Sequence, residues 1–404
     1  MLSNITYLSI GRLPARRCVT ALIAALVPAA YADEPLPELS NKSANAPLHY
    51  GPFDLFPSVR AGATYDDNIY IQSANKTDDF ILSVAPGVVI GLGDYREKVG
   101  SFGSLEYSPN FLLYTLNSRN NAIDQEGKLR LEYKPGPWAL ALEQGLRDYS
   151  GPEIDVGNRA NRRLYNTAIG VQYEISPKTI VGVDATQLIN DYESKFNSWN
   201  EWTVGGWADY WITPKIKLGA GLNGGWVDVH NSANQHYEQA LLRAAYIATE
   251  KVDFRASAGV EWRHFDSGRD AHVNGVFALG ATYKPVEKTQ VRLDLYRRNQ
   301  SSVVLQDQDY TTTGFALGLR QSMSDRFIVG VSGGYDHLSY FATANTVTGP
   351  KRVDDYFFVR PNVEWTFNGH LSAGAFYQYR KNDSKGSTFN FSNNQVGLSS
   401  TYSF

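Results

Sequence analysis

The sequence predicts an all-β fold, a transmembrane antiparallel β-barrel of the outer-membrane type with about 18 strands and both chain ends periplasmic. Three observations predict it. The 404 residues include 25 Tyr, 19 Phe, 8 Trp and 35 Gly but only 2 Met and 1 Cys. Apolar and polar residues alternate with a period of two through most of the chain. Short turns and longer polar connections also alternate, as they do in barrels that cross a membrane. Mean hydropathy is −0.34, and no run approaches the roughly 20 apolar residues of a spanning helix. Charges are balanced, at 38 Lys and Arg against 41 Asp and Glu. No basic stripe marks a nucleic-acid partner.

The first segment, 1–32, reads as a secretory signal peptide. Arg12, Arg16 and Arg17 precede the apolar stretch from Val19 to Ala30, which is too short to span a bilayer. Ala30-Tyr31-Ala32 offers a small-residue cleavage site before Asp33. The only cysteine, Cys18, lies inside that segment, so disulfides and cysteine chemistry are excluded from the exported chain. Residues 33–54 contain Pro35, Pro37, Pro47 and Pro52 and show neither period. They read as a Pro-rich periplasmic tail or as a plug that folds back into the barrel.

From residue 55 to 404 the chain reads as barrel. Eight short turns, among them Lys134-Pro135-Gly136-Pro137, Ser176-Pro177-Lys178, Thr213-Pro214-Lys215 and Asn368-Gly369-His370, join even strands to odd ones and give the count of 18. Longer connections run over 71–79, 150–161, 267–271, 301–308, 342–352 and 382–390. Sixteen strands is the alternative count, because 187–200 and 230–247 alternate poorly. Elsewhere the period is clean. Val252, Phe254, Ala256, Ala258, Val260 and Trp262 share one face, while Asp253, Arg255, Ser257, Glu261 and Arg263 share the other. The apolar faces end in Tyr107, Tyr133, Trp138, Tyr173, Tyr210, Tyr246, Tyr283 and Trp365, which suits an interfacial girdle. The last strand places Val396, Leu398, Tyr402 and Phe404 on one face and ends on the aromatic residue. Tyr402 and Phe404 therefore read as the signal for the barrel assembly machinery, with outer-membrane lipid and lipopolysaccharide as the surrounding partners.

No catalytic constellation stands out. Gly330-Val331-Ser332-Gly333-Gly334 matches a nucleophile-elbow pattern, but it sits inside an alternating strand rather than at a strand-to-helix elbow. The seven histidines show no i, i+4 pair and share no face by sequence, so neither a metal nor a cofactor is expected. The chemistry is expected in the barrel interior. Alternation assigns Arg60, Arg130, Arg255, Arg263, Arg292, Asp294, Arg320, Arg360 and Arg380 to a pore lining in which basic and acidic residues nearly cancel. An 18-stranded barrel leaves room for water inside.

Tyr65-Asp66-Asp67-Asn68-Ile69-Tyr70 closes the first barrel strand. The last hairpin carries Tyr377-Gln378-Tyr379-Arg380-Lys381-Asn382-Asp383-Ser384, then Asn394-Gln395-Val396-Gly397-Leu398 and Tyr402-Ser403-Phe404. With the Ser/Thr-Pro-Lys turns, this resembles the outer-membrane β-barrel porins of the porin 2 family over about 55–404. The resemblance implies a cell outer-membrane location in a Gram-negative bacterium and a non-enzymatic pore. It also implies a link with exopolysaccharide export and its periplasmic components. The expected function is thus a passive exit for a secreted polysaccharide. The alternatives are a general or solute-specific uptake porin and a structural or adhesive barrel. The outer connections are short, which counts against an uptake porin narrowed by a long infolded loop.

Overall fold

The computed structural model describes residues 48–404, apart from 97, 194, 250, 349, 350, 386 and 387. The signal peptide and most of the proposed tail lie outside the described residues. The first strands are β1 (Leu48–Tyr50), β2 (Phe53–Asp66), β3 (Asp79–Gly93), β4 (Phe102–Tyr114), β5 (Ala122–Tyr133), β6 (Trp138–Glu153), β7 (Asn158–Ser176), β8 (Thr179–Tyr192) and β9 (Trp199–Trp211). They continue with β10 (Ile216–Val229), β11 (Gln235–Thr249), β12 (Val252–Phe265), β13 (His272–Tyr283), β14 (Thr289–Ser301) and β15 (Gln308–Ser322). The last are β16 (Phe327–Ala342), β17 (Val353–Thr366), β18 (Leu371–Ser384) and β19 (Phe391–Ser403).

Strands β2 to β19 pair antiparallel with their sequence neighbours, and β19 pairs with β2 from Ser403↔Ser58 to Gln395↔Asp66. That last ladder closes an 18-stranded barrel and leaves the ring without a free edge. The short β1 pairs only with β2, through a turn in which Gly51 adopts φ +61°. The barrel therefore begins at Phe53, two residues earlier than the sequence suggests.

One end of the barrel carries the eight short turns. Their chemistry is local. The hydroxyls of Ser176, Thr213 and Ser324 and the amide oxygen of Asn368 each accept the backbone N–H groups two and three residues on, at 2.8–3.3 Å. The other end carries nine connections. Six match the longer stretches expected from the sequence; 115–121, 193–198 and 230–234 are additional. The poorly alternating segments belong to β8–β11, so the count of 16 falls. Their pattern is irregular because Leu188, Trp199, Val227 and Val229 point inward and form a small apolar cluster with Tyr237, Val156 and Val303.

Outside, the wall is apolar. Leu242 (74%), Leu222 (70%) and Leu398 (63%) are far more exposed than any core residue of a water-soluble domain would be. All eight expected girdle aromatics, from Tyr107 to Trp365, are exposed on this surface. At β14, Leu293 lies midway along the strand on that face, between Ala281 and the exposed Leu317. Leu293→Arg is expected to cost roughly 2–4 kcal/mol if it meets the bilayer midplane. Heat-modifiability on gels and denaturant titration in lipid vesicles check this. Wild-type stability in the variant would place Leu293 away from lipid.

Candidate functional site: the charged interior and the infolded hairpin

The inward face of each strand carries the charges that the outward face lacks. In the turn-proximal half these pair both along and across strands. On β5 and β6, Arg130 lies 3.4 Å from Glu132 and 3.6 Å from Glu143, while Lys128 reaches Glu143 at 3.2 Å and Lys134 reaches Glu132 at 2.9 Å. On β9–β11, Asp209 accepts from Lys217 at 2.9 Å and from Arg243 at 3.0 Å. Across the interior wall, Arg255 pairs with Asp253 at 2.9 Å, Arg292 with Asp294 at 2.7 Å, and Arg320 with Glu364 at 3.8 Å.

The nine residues assigned to the pore lining fall into two groups. Arg255 and Arg292 keep 36% and 41% of their side chains exposed, and Arg60 is exposed as well. Arg130, Asp294 and Arg320 are partly exposed within their pairs. Arg360 donates to Gln378 at 3.2 Å and stacks 4.0 Å over Phe376. Arg292 and Arg360 stand in one cross-strand row, separated by Gly318 and Ser332. The small residues leave space in front of the wall. Arg263 and Arg380, in contrast, are sealed from water. Arg380 is bound to Asn393, and Arg263 is held by Glu261 at 2.7 Å, Gln235 at 2.9 Å and Asp309 at 3.5 Å. These two are structural ties rather than water-facing lining.

Arg263 is buried because a piece of the wall leaves the ring and packs against it. The β13–β14 ladder stops at Phe277↔Arg297, whereas β14–β15 pairing continues to Ser301↔Asp309. Beyond Arg297 the hairpin tip bends into the barrel. Phe315, Leu317 and Leu319 of β15 face outward and are exposed. The same parity higher up, Asn299, Ser301, Asp309 and Thr311, is buried. Those residues lie on the inner surface of β11–β13. Gln235 donates to Asp309 at 2.9 Å, Asn299 donates to Glu261 at 2.8 Å, and Asn274 donates to Asn299 at 2.9 Å. Arg297 fills the opened seam, donating to Asn274 at 2.9 Å, the Gly275 carbonyl at 3.1 Å and Thr313 at 2.8 Å. The perimeter is re-sealed over the tucked hairpin. Ser267 donates to the Thr343 carbonyl at 2.6 Å, Arg269 to the Ala344 carbonyl at 3.3 Å, and His272 stacks on Phe341 at 4.1 Å.

The tip is met from across the barrel by the β6–β7 connection, eight strands away and so close to diametrically opposite. Asp155 in that connection is buried. It accepts from Ser302 at 3.0 Å, the Val303 N–H at 2.7 Å, Tyr340 at 2.7 Å and Arg352 at 3.3 Å. The Asn197 N–H donates to the Val303 carbonyl at 2.7 Å, and the Ala233 N–H to Asp307 at 3.0 Å. Val303 joins one apolar cluster beside this junction, and Leu305 and Tyr310 pack on a second, made of Ile71, Leu338, Tyr340, Tyr356, Phe358 and Phe391. An infolded constriction is thus present, although every connection is short: the hairpin's own strands supply the length that a long loop would. Sequence reasoning missed Asp155, Arg352 and Tyr340, since their contacts join residues far apart in the chain. The infolding itself left a trace, because from Arg297 to Thr313 both faces of the hairpin turn largely polar.

Burial raises the Asp155 carboxyl pKa, opposed by Arg352, Tyr340, the Val303 N–H and Ser302. Arg352, Asp354, Tyr310 and Tyr340 are the other charged or titratable groups around it. A carboxyl raised by docking favours the docked hairpin below its ordinary value of about 3.9, and this advantage is lost as pH rises through the raised value. Asp155→Ala is expected to enlarge single-channel conductance in planar bilayers while the barrel stays heat-modifiable. Asp155→Asn is expected to flatten the closure of the channel under acid. Wild-type conductance and wild-type acid response in both variants would show that the hairpin is held without Asp155.

Residues 246–404 match the family described as "Putative beta-barrel porin 2", the family that the sequence motifs resemble. No curated protein matches the chain. Among solved structures, the outer membrane protein opdK of Pseudomonas aeruginosa is 13% identical with a TM-score of 0.42, over 87% of this chain and 98% of that one. OccAB4 of Acinetobacter baumannii is 11% identical with a TM-score of 0.44, over 87% and 98%. OccK2 (OpdF) of Pseudomonas aeruginosa, in complex with glucuronate, gives the same four values.

Proposed function

We propose that the protein is an outer-membrane β-barrel porin, a passive uptake channel for small polar solutes with a preference for anionic ones. The observation that carries this reading is the β14–β15 tip lying inside the barrel, tied to Asp155 on the opposite wall. A constriction of that kind selects small solutes by size and charge. The partly exposed arginines 255, 292, 320 and 360 lie on β12, β14, β15 and β17 of one wall, where a passing anion would meet them. Their acidic partners moderate the preference without cancelling it, because Arg292 and Arg360 flank a row of small residues.

Polysaccharide export, the reading implied by the family resemblance, draws no support from the interior. A polymer leaving through the loop end would have to displace a hairpin held by buried ion pairs and two apolar clusters. The adhesive reading is also disfavoured, since connections 154–157 and 302–307 turn inward instead of projecting. In this proposal the loop end faces outside and both chain ends are periplasmic. Tyr402 and Phe404, stacked edge to face at 5.0 Å beside the closing ladder, act as the signal read by the assembly machinery.

Three measurements test the reading. For transport, Arg255→Glu combined with Arg292→Glu is expected to move the reversal potential under a salt gradient toward cation selectivity. Folding should hold, because partly exposed pairs contribute only about 0–1 kcal/mol each. An unchanged reversal potential would remove these arginines from the conduction path. Swelling of proteoliposomes in small organic acids but not in oligosaccharides is also expected, and the reverse order would restore the export reading. For orientation, Thr348→Cys should react with an impermeant maleimide on intact cells, and Pro214→Cys only after the outer membrane is opened. The opposite labelling would invert the barrel.

A further inference from the structure

On the outer surface near the loop end, β11 and β12 bring three metal-ligating side chains together. His236 and His264 are direct cross-strand partners, and Glu238 lies two residues along β11 on the same face. Their chain neighbours Tyr237 and Arg263 are buried and point into the barrel, which fixes the trio as outward-facing. The two imidazoles are stacked, with centroids 4.9 Å apart and planes 15° apart. His264 Nε2 stands 3.3 Å from Glu238 Oε2, and one ligand atom from each residue lies within 4.8 Å of the other two. Along the chain the histidines share no face. This pair is made by the register of two strands and joins residues 28 positions apart.

We propose that His236, Glu238 and His264 form a surface site for a divalent transition metal of the zinc class. Two imidazoles and one carboxylate are a common zinc ligand set that leaves a fourth position open, and imidazole ligands select zinc, copper or nickel over magnesium and calcium. The distances agree with this. Zinc–ligand bonds of about 2.0–2.2 Å at tetrahedral angles put neighbouring ligand atoms about 3.3–3.5 Å apart, and the His264–Glu238 edge already has that length. The remaining edges close by rotation of exposed side chains, with no movement of the backbone.

The surroundings give the site a place and a reporter. Trp202, Trp226, His236 and His264 occupy one cross-strand row over β9–β12, and Trp262 is paired with Glu238. All three tryptophans are exposed on the outer surface. The site thus lies in the aromatic rim, where the open coordination position meets the headgroup layer instead of the hydrocarbon. On the opposite face of the same two strands, Gln235 and Arg263 receive the infolded hairpin. A bound metal would brace the wall against which that hairpin docks.

The test is titration of the full barrel, refolded in detergent and stripped with chelator, with zinc chloride alone by calorimetry. Quenching of tryptophan fluorescence by cupric ion provides a second readout. One saturable zinc per barrel is expected, with affinity lowered about tenfold or more by His264→Ala and binding abolished by His236→Ala combined with His264→Ala. Cupric quenching should fall in the same order. Magnesium in large excess should not displace the metal. Heat-modifiability verifies that the variants are folded, and none of these readouts depends on conductance, so the outcome is independent of the channel reading. Absence of saturable zinc uptake by the wild-type barrel overturns the proposal, as does binding that survives in the double variant. In either case His264 and Glu238 form only a hydrogen-bonded surface pair.

Discussion

A lipid bilayer offers no hydrogen bonds, and that single fact organises this chain. Every backbone N–H and C=O at membrane depth needs a partner within the protein. A sheet meets the demand only by closing on itself. The β19–β2 ladder is therefore the contact on which the other seventeen depend: without it two long edges would face hydrocarbon. Closure also separates the chemistry of the side chains. With a period of two, whatever is apolar faces out and whatever is charged faces in, and a slip of one residue would exchange the two. The ion-pair ladders inside follow from the same geometry. They place charges where water or an opposite charge is within reach.

The rule also explains where the wall can be broken. The seam between β13 and β14 opens only above Phe277 and Arg297, toward the loop end and past the outward stripe of Leu279, Leu293 and Leu295. Backbone groups released there are no longer opposite hydrocarbon. Arg297, with donors reaching Asn274, Gly275 and Thr313, satisfies part of the exposed edge and holds the strands at the fork. The hairpin tip must then be polar on the face that would otherwise have met lipid, because that face now lies on Gln235, Glu261, Arg263 and Asn274. Asn299, Ser301, Asp309 and Thr311 meet this requirement.

The architecture was largely legible in the sequence because the period of two is a one-dimensional signal. Strand count, closing strand, girdle aromatics and the inward parity of the charged residues could all be read along the chain. The infolded hairpin was readable only in part. Loss of the apolar stripe after Leu295 showed that this segment does not face lipid, but it could equally have described a strand projecting into water. What decides between these is Asp155, whose partners Ser302, Tyr340 and Arg352 lie 147 to 197 positions away. The same limit hid the His236–His264 pair. It also left Arg263 and Arg380 in one class with Arg255 and Arg292, since parity gives direction and is silent about what stands in front of a side chain.

A short-looped barrel can therefore be narrowed without a long loop. Residues 302–307 could not reach the opposite wall if β14 and β15 stayed in the ring. Letting both strands lean inward carries the tip across at no cost in chain length, and the tip stays paired to itself as it goes. The lean is then set by contacts on two sides. The Arg263–Glu261–Asp309 network holds one face of the hairpin against the near wall, and Asp155 holds its tip from the far one. Breaking the near contact alone would leave charged groups buried without partners, which is severe. Asp155 sits on a connection of four residues, and Arg352 keeps Asp354 as its partner when Asp155 leaves, so this release asks less of the rest of the barrel. If the hairpin moves at all during transport, the movement begins at the Asp155 end, and the near wall acts as the hinge.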